Sequence, residues 1–157
     1  MLMKRRLWIA IVVLLADQLS KAAARKLAAS IPLIPGVLGL CLCRNTGMAF
    51  SMLSGMPWLL GILSLVLIGA GWLILRRYRL TGIAAAASML MLGGALGNAI
   101  DRLLMGYVTD MIEILCFQFA VFNIADAALT VGCVLMAVSL IFLPAEWQPS
   151  GGDRHGA

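Results

Sequence analysis

An all-α integral membrane protein is expected from this sequence, with four transmembrane helices and a small β-sheet on its outer face. Hydrophobic residues make up 62% of the 157 residues and charged residues only 12%, whereas soluble domains average roughly 45–50% and about 25%. Several stretches free of Asp, Glu, Lys and Arg reach about the 20 residues that cross a hydrocarbon core of about 30 Å. The cations stand at the ends of these stretches, as they do in membrane proteins.

The first predicted helix covers residues 7–24 and follows a basic start at residues 4–6. It is apolar as far as residue 16, and Asp17 and Lys21 follow four positions apart, on one helix face where they can pair. A cleaved signal peptide is the alternative, because a basic start and a short apolar run precede an Ala-Ala-Ser sequence. The paired charges favour a helix that stays in the membrane.

Three further spans are predicted at about residues 58–75, 82–100 and 124–143, each overlapping a charge-free run. Pro57 stands just before the second span, where proline is tolerated at a helix start. Pro144 closes the fourth span. Four crossings place the two ends of the chain on the same side of the membrane.

The distribution of cations predicts the orientation. The loop after the second span carries Arg76, Arg77 and Arg79, and lies on the same side as residues 4–6 and Arg154. That side holds seven of the 12 cations, and the other holds five. The positive-inside rule therefore predicts that both termini are cytoplasmic.

The two longer connections, residues 25–57 and 103–123, then face the outer side. The first contains a short apolar run between turn residues, and the second is rich in β-branched and aromatic residues, so both predict strands. We expect these strands to form a small sheet on the membrane surface. Residues 1–145 are interpreted as one membrane-embedded domain, and residues 146–157 as a disordered cytoplasmic tail.

Composition also restricts the chemistry. The single histidine, His155, lies in the polar tail, so a Ser-His pair, a Cys-His pair or an HExxH zinc site is not expected. The cysteines lack zinc-site spacing, and we expect neither metal nor cofactor. They are interpreted as packing residues, while a disulfide between Cys116 and either Cys41 or Cys43 stays open. The net charge of +5 does not indicate nucleic acid, because the cations are not interleaved with polar residues on one face.

Polar residues collect near the predicted outer ends of the spans, and two of them are acids that approach one place from neighbouring elements, Asp110 and Asp126. A charge in the bilayer centre costs at least about 2.5–3.5 kcal/mol, so acids in membrane-spanning segments are expected to have a function. Two facing carboxylates share one proton, so one can activate a water while the other donates to a carbonyl oxygen. Taken singly, each polar residue also has a structural interpretation, as an ion pair, a helix–helix hydrogen bond or a helix cap. The pair of acids favours amide hydrolysis without metal or covalent intermediate.

Five stretches resemble, in order, the motif regions of lipoprotein signal peptidases (signal peptidase II). The combination of GN-x-x-DR, V-x-D and FN-x-AD is specific, and the resemblance extends over about residues 4–143. The stretches are DQLSK from residue 17, RNTGMAFS from residue 44, GGALGNAIDR from residue 93, GYVTDMIEI from residue 106 and FNIADAALT from residue 122.

The resemblance implies an aspartic endopeptidase of the bacterial inner membrane, which cuts the signal peptide from prolipoproteins just before a diacylglyceryl-modified cysteine. It implies Asp110 and Asp126 as the catalytic pair and the antibiotic globomycin as an inhibitor. We further expect a monomer with its active site near the surface of the outer leaflet. A small four-helix proton-coupled transporter is the alternative, disfavoured because the mid-spans of the last three helices carry no charge. Substrate-binding or supporting residues implied by the resemblance are Asn45, Gly47, Asn98, Asp101, Arg102, Asn123, Asp17 and Lys21.

Overall fold

The computed structural model describes residues 6–47 and 55–150. Each of its four long helices is long and apolar enough to cross a membrane, which confirms the four predicted spans. The third runs beyond its predicted end at residue 100 and stops where Gly106 adopts a left-handed φ of 74°. The helices are α1 (Leu7–Ala24), α2 (Pro57–Leu75), α3 (Gly82–Met105) and α4 (Ile124–Phe142).

Helix α3 is the centre of the bundle and packs against the other three helices. Glycines allow this close packing. A Cβ atom at Gly93 would lie 2.8 Å from the carbonyl oxygen of Ala10 in α1, and one at Gly94 would collide with the carbonyl oxygen of Ala125 in α4. Small residues at helix interfaces let backbones approach in this way, so α1 and α4 both pack closely against the same segment of α3.

The predicted sheet is present at the bundle end where α1 finishes and α4 starts. Strands β1 (Ile31–Ile34), β2 (Leu38–Asn45) and β4 (Val108–Ile114) pair antiparallel in the order β1-β2-β4. An irregularity between Leu40 and Cys43 shifts the register, so that Cys43 pairs with Asp110. The sheet therefore carries Asp110 to the same bundle end as the start of α4.

A second, smaller sheet occupies the opposite end of the bundle and corrects one expectation. The tail was expected to be disordered from residue 146, but β5 (Trp147–Pro149) pairs with β3 (Tyr78–Leu80), after a 3-10 turn at Pro144–Glu146. The Glu146 carboxylate accepts hydrogen bonds of 3.0 and 2.8 Å from backbone N–H groups in the first turn of α3. These N–H groups have no partner within α3, so their bonds to Glu146 hold this segment of the tail against the start of the helix. Residues 151–157 lie outside the described part of the chain.

Candidate active site

The two predicted catalytic acids lie in one open cavity of about 900 Å³ at the bundle end that carries the three-stranded sheet. Asp110 comes from β4 and is 2% exposed, whereas Asp126 comes from the first turn of α4 and is half-buried. The cavity is also lined by Asn45, Gly47 and Arg102. The fold thus brings together residues that are far apart in the chain.

Asn123 joins the two acids. It is the N-cap of α4, a position that favours Asn because its side chain accepts from a backbone N–H of the first turn. Its Oδ1 accepts from the backbone N–H of Asp126 at 2.9 Å, while its own backbone N–H donates to Asp126 Oδ2 at 3.2 Å. The remaining group, Nδ2, donates to Asp110 Oδ1 at 2.6 Å. One capping residue therefore contacts both carboxylates.

Each acid receives a second donor from another asparagine. Asn45 Nδ2 donates to Asp110 Oδ2 at 3.1 Å, and Asn45 Oδ1 accepts from the backbone N–H of Gly47 at 2.9 Å. Asn98 Nδ2, from α3, donates to Asp126 Oδ1 at 2.7 Å. Both oxygens of each carboxylate are consequently hydrogen-bonded, which fixes the orientation of the two groups in the cavity.

The environment of Asp110 favours its protonated form. Burial, with a smaller contribution from the nearby charge of Asp126, raises the pKa of Asp110 from 3.8 to about 6. Hydrogen bonds from Asn45 and Asn123, and the charge of Lys21, lower this pKa but do not offset burial. A carboxyl group that titrates near pH 6 can hold or release a proton under mild conditions, as general acid–base catalysis requires.

Behind the acids lies a buried ionic cluster that includes the predicted Asp17–Lys21 pair. Lys21 Nζ is 2.7 Å from Asp17 Oδ2 and 3.3 Å from Asp101 Oδ2, and all three side chains are fully buried. Asp17 Oδ1 accepts from the backbone N–H of Ala125 at 2.9 Å, and Asp101 Oδ2 accepts from that of Thr109 at 3.0 Å. The cluster ties α1 and α3 to the beginnings of β4 and α4.

Sequence reasoning missed two members of this cluster. Gln18 Nε2 lies 3.2 Å from oxygens of both Asp17 and Asp101. Arg25 Nε donates to Thr109 Oγ1 at 3.0 Å, and its Nη2 lies 3.5 Å from Asp101 Oδ1. The one available signal was helical spacing, because Gln18, Lys21 and Arg25 follow at intervals of three and four on one face of α1.

Arg102 has a donor to spare. Its Nη2 donates to the carbonyl oxygen of Gly47 at 3.2 Å, which joins α3 to the segment after β2. Its Nε atom is buried and has no hydrogen-bond partner among residues 6–47 and 55–150. Arg102 also lines the cavity, so its guanidinium group lies close to the two acids.

The cysteines do not pair, so the disulfide that the sequence left open is not formed. Cys43 lines the cavity beside Asp110, and burial, followed by the charge of Asp110, raises the pKa of its thiol. A raised pKa keeps the thiol protonated and therefore a poor nucleophile. Within the described part of the chain, no group of three or more His, Cys, Asp and Glu side chains is arranged to hold a metal ion.

Part of the cavity lining is apolar. Phe119, Phe122 and several residues in the first two turns of α4 form it. Phe117 and Phe119 are 58% and 54% exposed and make an edge-to-face contact at 6.0 Å. A cavity lined by both carboxyl groups and aromatic rings suits a molecule with polar and apolar parts.

Comparisons with known proteins agree on one family. The sequence model of signal peptidase (SPase) II matches residues 9–142. A lipoprotein signal peptidase of Geobacillus kaustophilus (strain HTA426) is 40% identical over 144 residues, which cover 86% of this chain and 92% of that protein. One from Streptococcus pyogenes serotype M2 (strain MGAS10270) is 38% identical over 144 residues, covering 88% and 95%.

Solved structures show the same fold. The structure of a bacterial membrane enzyme at 2.3 Å resolution superposes with a TM-score of 0.76 at 32% sequence identity, covering 87% of each chain. A second bacterial membrane enzyme, at 1.9 Å resolution, gives a TM-score of 0.74 at 31% identity and covers 88% of this chain and 94% of that one.

Proposed function

The chain belongs to the signal peptidase II family, and from this premise we propose that Asp110 and Asp126 form its catalytic dyad. As a member of the family it is a membrane peptidase that processes prolipoproteins, and the transporter alternative has no support. The observation that carries the assignment is that both acids line one cavity and share Asn123 as a hydrogen-bond partner. No other pair of acids lines that cavity within residues 6–47 and 55–150.

The proposed reaction is direct hydrolysis by a water held between the two carboxyl groups, which together carry one proton. The ionised carboxylate accepts a proton from the water while the water oxygen bonds to the scissile carbonyl carbon. The protonated carboxyl group donates its proton to the carbonyl oxygen. The tetrahedral intermediate then collapses, the C–N bond breaks, and the leaving amino group of the cysteine takes a proton from the dyad. The guanidinium group of Arg102, which lines the cavity, supplies a hydrogen bond to the carbonyl oxygen as negative charge develops on it.

The remaining predicted residues support this centre. Asn45, Asn98 and Asn123 orient the two carboxyl groups, and Gly47 holds Arg102 through its carbonyl oxygen. Asp17, Lys21 and Asp101 brace the helices that carry the acids.

The cavity also suits the lipid part of the proposed substrate. Its apolar wall, with the exposed rings of Phe117 and Phe119 beside it, lies where α4 begins, so acyl chains can remain in the bilayer while the peptide reaches the acids. Arg76 and Arg77 lie at the opposite end of the bundle, just before β3, and Arg79 lies within that strand. We therefore place that end and both termini in the cytoplasm, and the active site near the outer leaflet surface. The enzyme acts as a monomer, and globomycin competes for the same cavity.

Cleavage of a synthetic peptide containing a diacylglyceryl-modified cysteine by the purified, lipid-reconstituted chain tests the dyad. Asp110→Asn and Asp126→Asn should each lower kcat by at least about 100-fold, because acid–base groups contribute about 10²–10⁴-fold. Glu113→Gln is the matched control, since it removes a carboxylate from the same strand but does not line the cavity. Globomycin should inhibit competitively, whereas a chelator should leave turnover unchanged. Wild-type turnover in either aspartate variant would contradict the proposal.

A further inference from the structure

We propose that the buried Lys21 is a positioning residue for catalysis: it fixes the side-chain amide of Asn98 with the N–H group turned toward Asp126. The inference rests on the proposed function and adds to it. It gives Lys21 a task in the reaction that differs from holding α1 to α3. One continuous chain of hydrogen bonds joins Lys21 to both acids, and each atom along it can only donate or only accept.

The chain begins at the lysine. An ammonium group has three N–H donors and no acceptor. Lys21 Nζ is fully buried and directs its donors at three oxygens, Asp17 Oδ2 at 2.7 Å, Asp101 Oδ2 at 3.3 Å and Asn98 Oδ1 at 3.0 Å. All three donors are thus used, and the atom that Asn98 presents to Lys21 has to be its oxygen.

The contact with Lys21 determines which atom of the Asn98 amide points toward Asp126. With Oδ1 toward Lys21, Asn98 Nδ2 faces Asp126 and donates to Asp126 Oδ1 at 2.7 Å. In the reversed orientation, the amide NH2 would face the ammonium group, and the amide oxygen would face the carboxylate. Both contacts would be repulsive, and a buried donor and a buried acceptor would lose their partners.

The effect extends to the second acid. Asn98 Oδ1 also accepts from Asn123 Nδ2 at 3.2 Å, and the same Nδ2 group donates to Asp110 Oδ1 at 2.6 Å. The orientation of Asn123 is set independently, because its Oδ1 caps α4. Lys21 and the helix cap therefore fix both amides, and each amide presents a donor to one carboxylate.

If Lys21 only braced the helices, it would need only to balance the charges of the buried cluster. The buried cluster contains two carboxylates and two cations, and the second cation, Arg25, contacts Asp101 but has no contact with Asn98. If balance were the whole function of Lys21, then removing a neutral pair from the cluster would leave catalysis intact. The positioning role predicts that catalysis is lost whenever the donor to Asn98 is lost.

The decisive variant is Asp17→Asn/Lys21→Met, which removes one charge of each sign and keeps the cluster neutral. We expect this double variant and Lys21→Met to lower kcat 10- to 100-fold, about 1.4–2.7 kcal/mol at 1.36 kcal/mol per tenfold. KM should stay within threefold, because Asn98 contacts the acid and not the substrate. The matched control is Arg25→Met, which removes a cation from the same cluster and should keep kcat within threefold even where it lowers the unfolding temperature.

The pH profile is a second readout, which bracing would not move. The charge of Lys21 lowers the pKa of Asp110. Without Lys21 the pKa of Asp110 rises further above its usual range, so the alkaline limb of kcat/KM moves to higher pH in both Lys21 variants. The charged groups around Lys21 on the elements packed against it are Asp17, Arg25, Asp101, Arg102, Asp110 and Asp126.

A folded double variant with wild-type kcat would overturn the proposal, because the positioning role requires kcat to fall whenever the donor to Asn98 is lost. If neither Lys21 variant folds, Asn98→Ala decides, because it leaves every charge of the cluster in place. A 10- to 100-fold loss of kcat in that variant supports a role for the positioned Asn98 donor. Wild-type kcat would show that catalysis does not depend on the Asn98 amide and would overturn the inference. Failure of the wild-type chain to cleave the peptide would instead contradict the proposed function.

Discussion

Replacing Asp110 with asparagine should abolish a pH-dependent loss of stability along with the activity. The folded protein holds the pKa of Asp110 at about 6, mainly because the group is buried, against an ordinary value of 3.8. The folded state therefore binds this proton more tightly than the unfolded state does. The stabilisation from the protonated group is complete below about pH 4 and is lost as the pH rises to about 6.

The size of the effect follows from the shift in pKa. A difference of about two pKa units corresponds to about 3 kcal/mol at 1.36 kcal/mol per unit. Asparagine does not titrate, so the free energy of unfolding of the variant lacks this pH-dependent contribution. The substitution carries a cost of its own, because Asn45 and Asn123 both donate to Asp110 and one of them then meets an NH2 group. That cost is the same at every pH, so the two proteins are compared by how their unfolding temperatures change with pH.

The assay is the unfolding temperature of wild type and Asp110→Asn in one detergent between pH 4 and pH 8, followed by the fluorescence of the four tryptophans. Between pH 4 and pH 7 the wild type should lose about 6–12 °C relative to the variant, because about 3 kcal/mol corresponds to about 2–4 °C per kcal/mol in a chain of this size. A difference between the two proteins that stays constant with pH, or that grows in favour of the wild type, would refute the reasoning.

Two further predictions concern the donors and the helix packing. Asn45→Ala removes a hydrogen bond that lowers the pKa of Asp110, so the alkaline limb of kcat/KM should move to higher pH; a limb displaced to lower pH would contradict this. Gly94→Ala should lower the unfolding temperature sharply, because its Cβ would collide with the backbone oxygen of Ala125 in α4, whereas Gly69→Ala, with no atom within 4 Å, should not. Equal unfolding temperatures for the two alanine variants would show that α3 and α4 do not pack as closely as described.

The spans were readable from the sequence because hydropathy and charge are local properties. A run without Asp, Glu, Lys or Arg predicts a helix whatever it packs against. The main discrepancies were at the ends of elements. Helix α3 continues past residue 100 because Asp101 is buried among partners from α1 and β4. The segment at residues 147–149 forms a strand because β3 and the start of α3 provide hydrogen-bond partners.

The candidate acids were also within reach of the sequence. Carboxylates beside apolar runs are rare, and Asp110 and Asp126 precede or open the last span within spaced motifs. Their partners could not be predicted in the same way. An asparagine such as Asn98 looks the same in a sequence whether its amide points at a lysine, a carboxylate or lipid.

The four spans and the two candidate acids were thus readable from the linear pattern of apolar and charged residues. The tertiary structure decided how the acids are used, because hydrogen-bond direction depends on atoms that come from four separate elements. Lys21 on α1, Asn98 on α3, Asp110 on β4 and Asn123 at the start of α4 meet within hydrogen-bonding distance only after the helices have packed. Burial then shifts the titration of Asp110, a change that arises from the loss of water around the group and not from its neighbours in the chain.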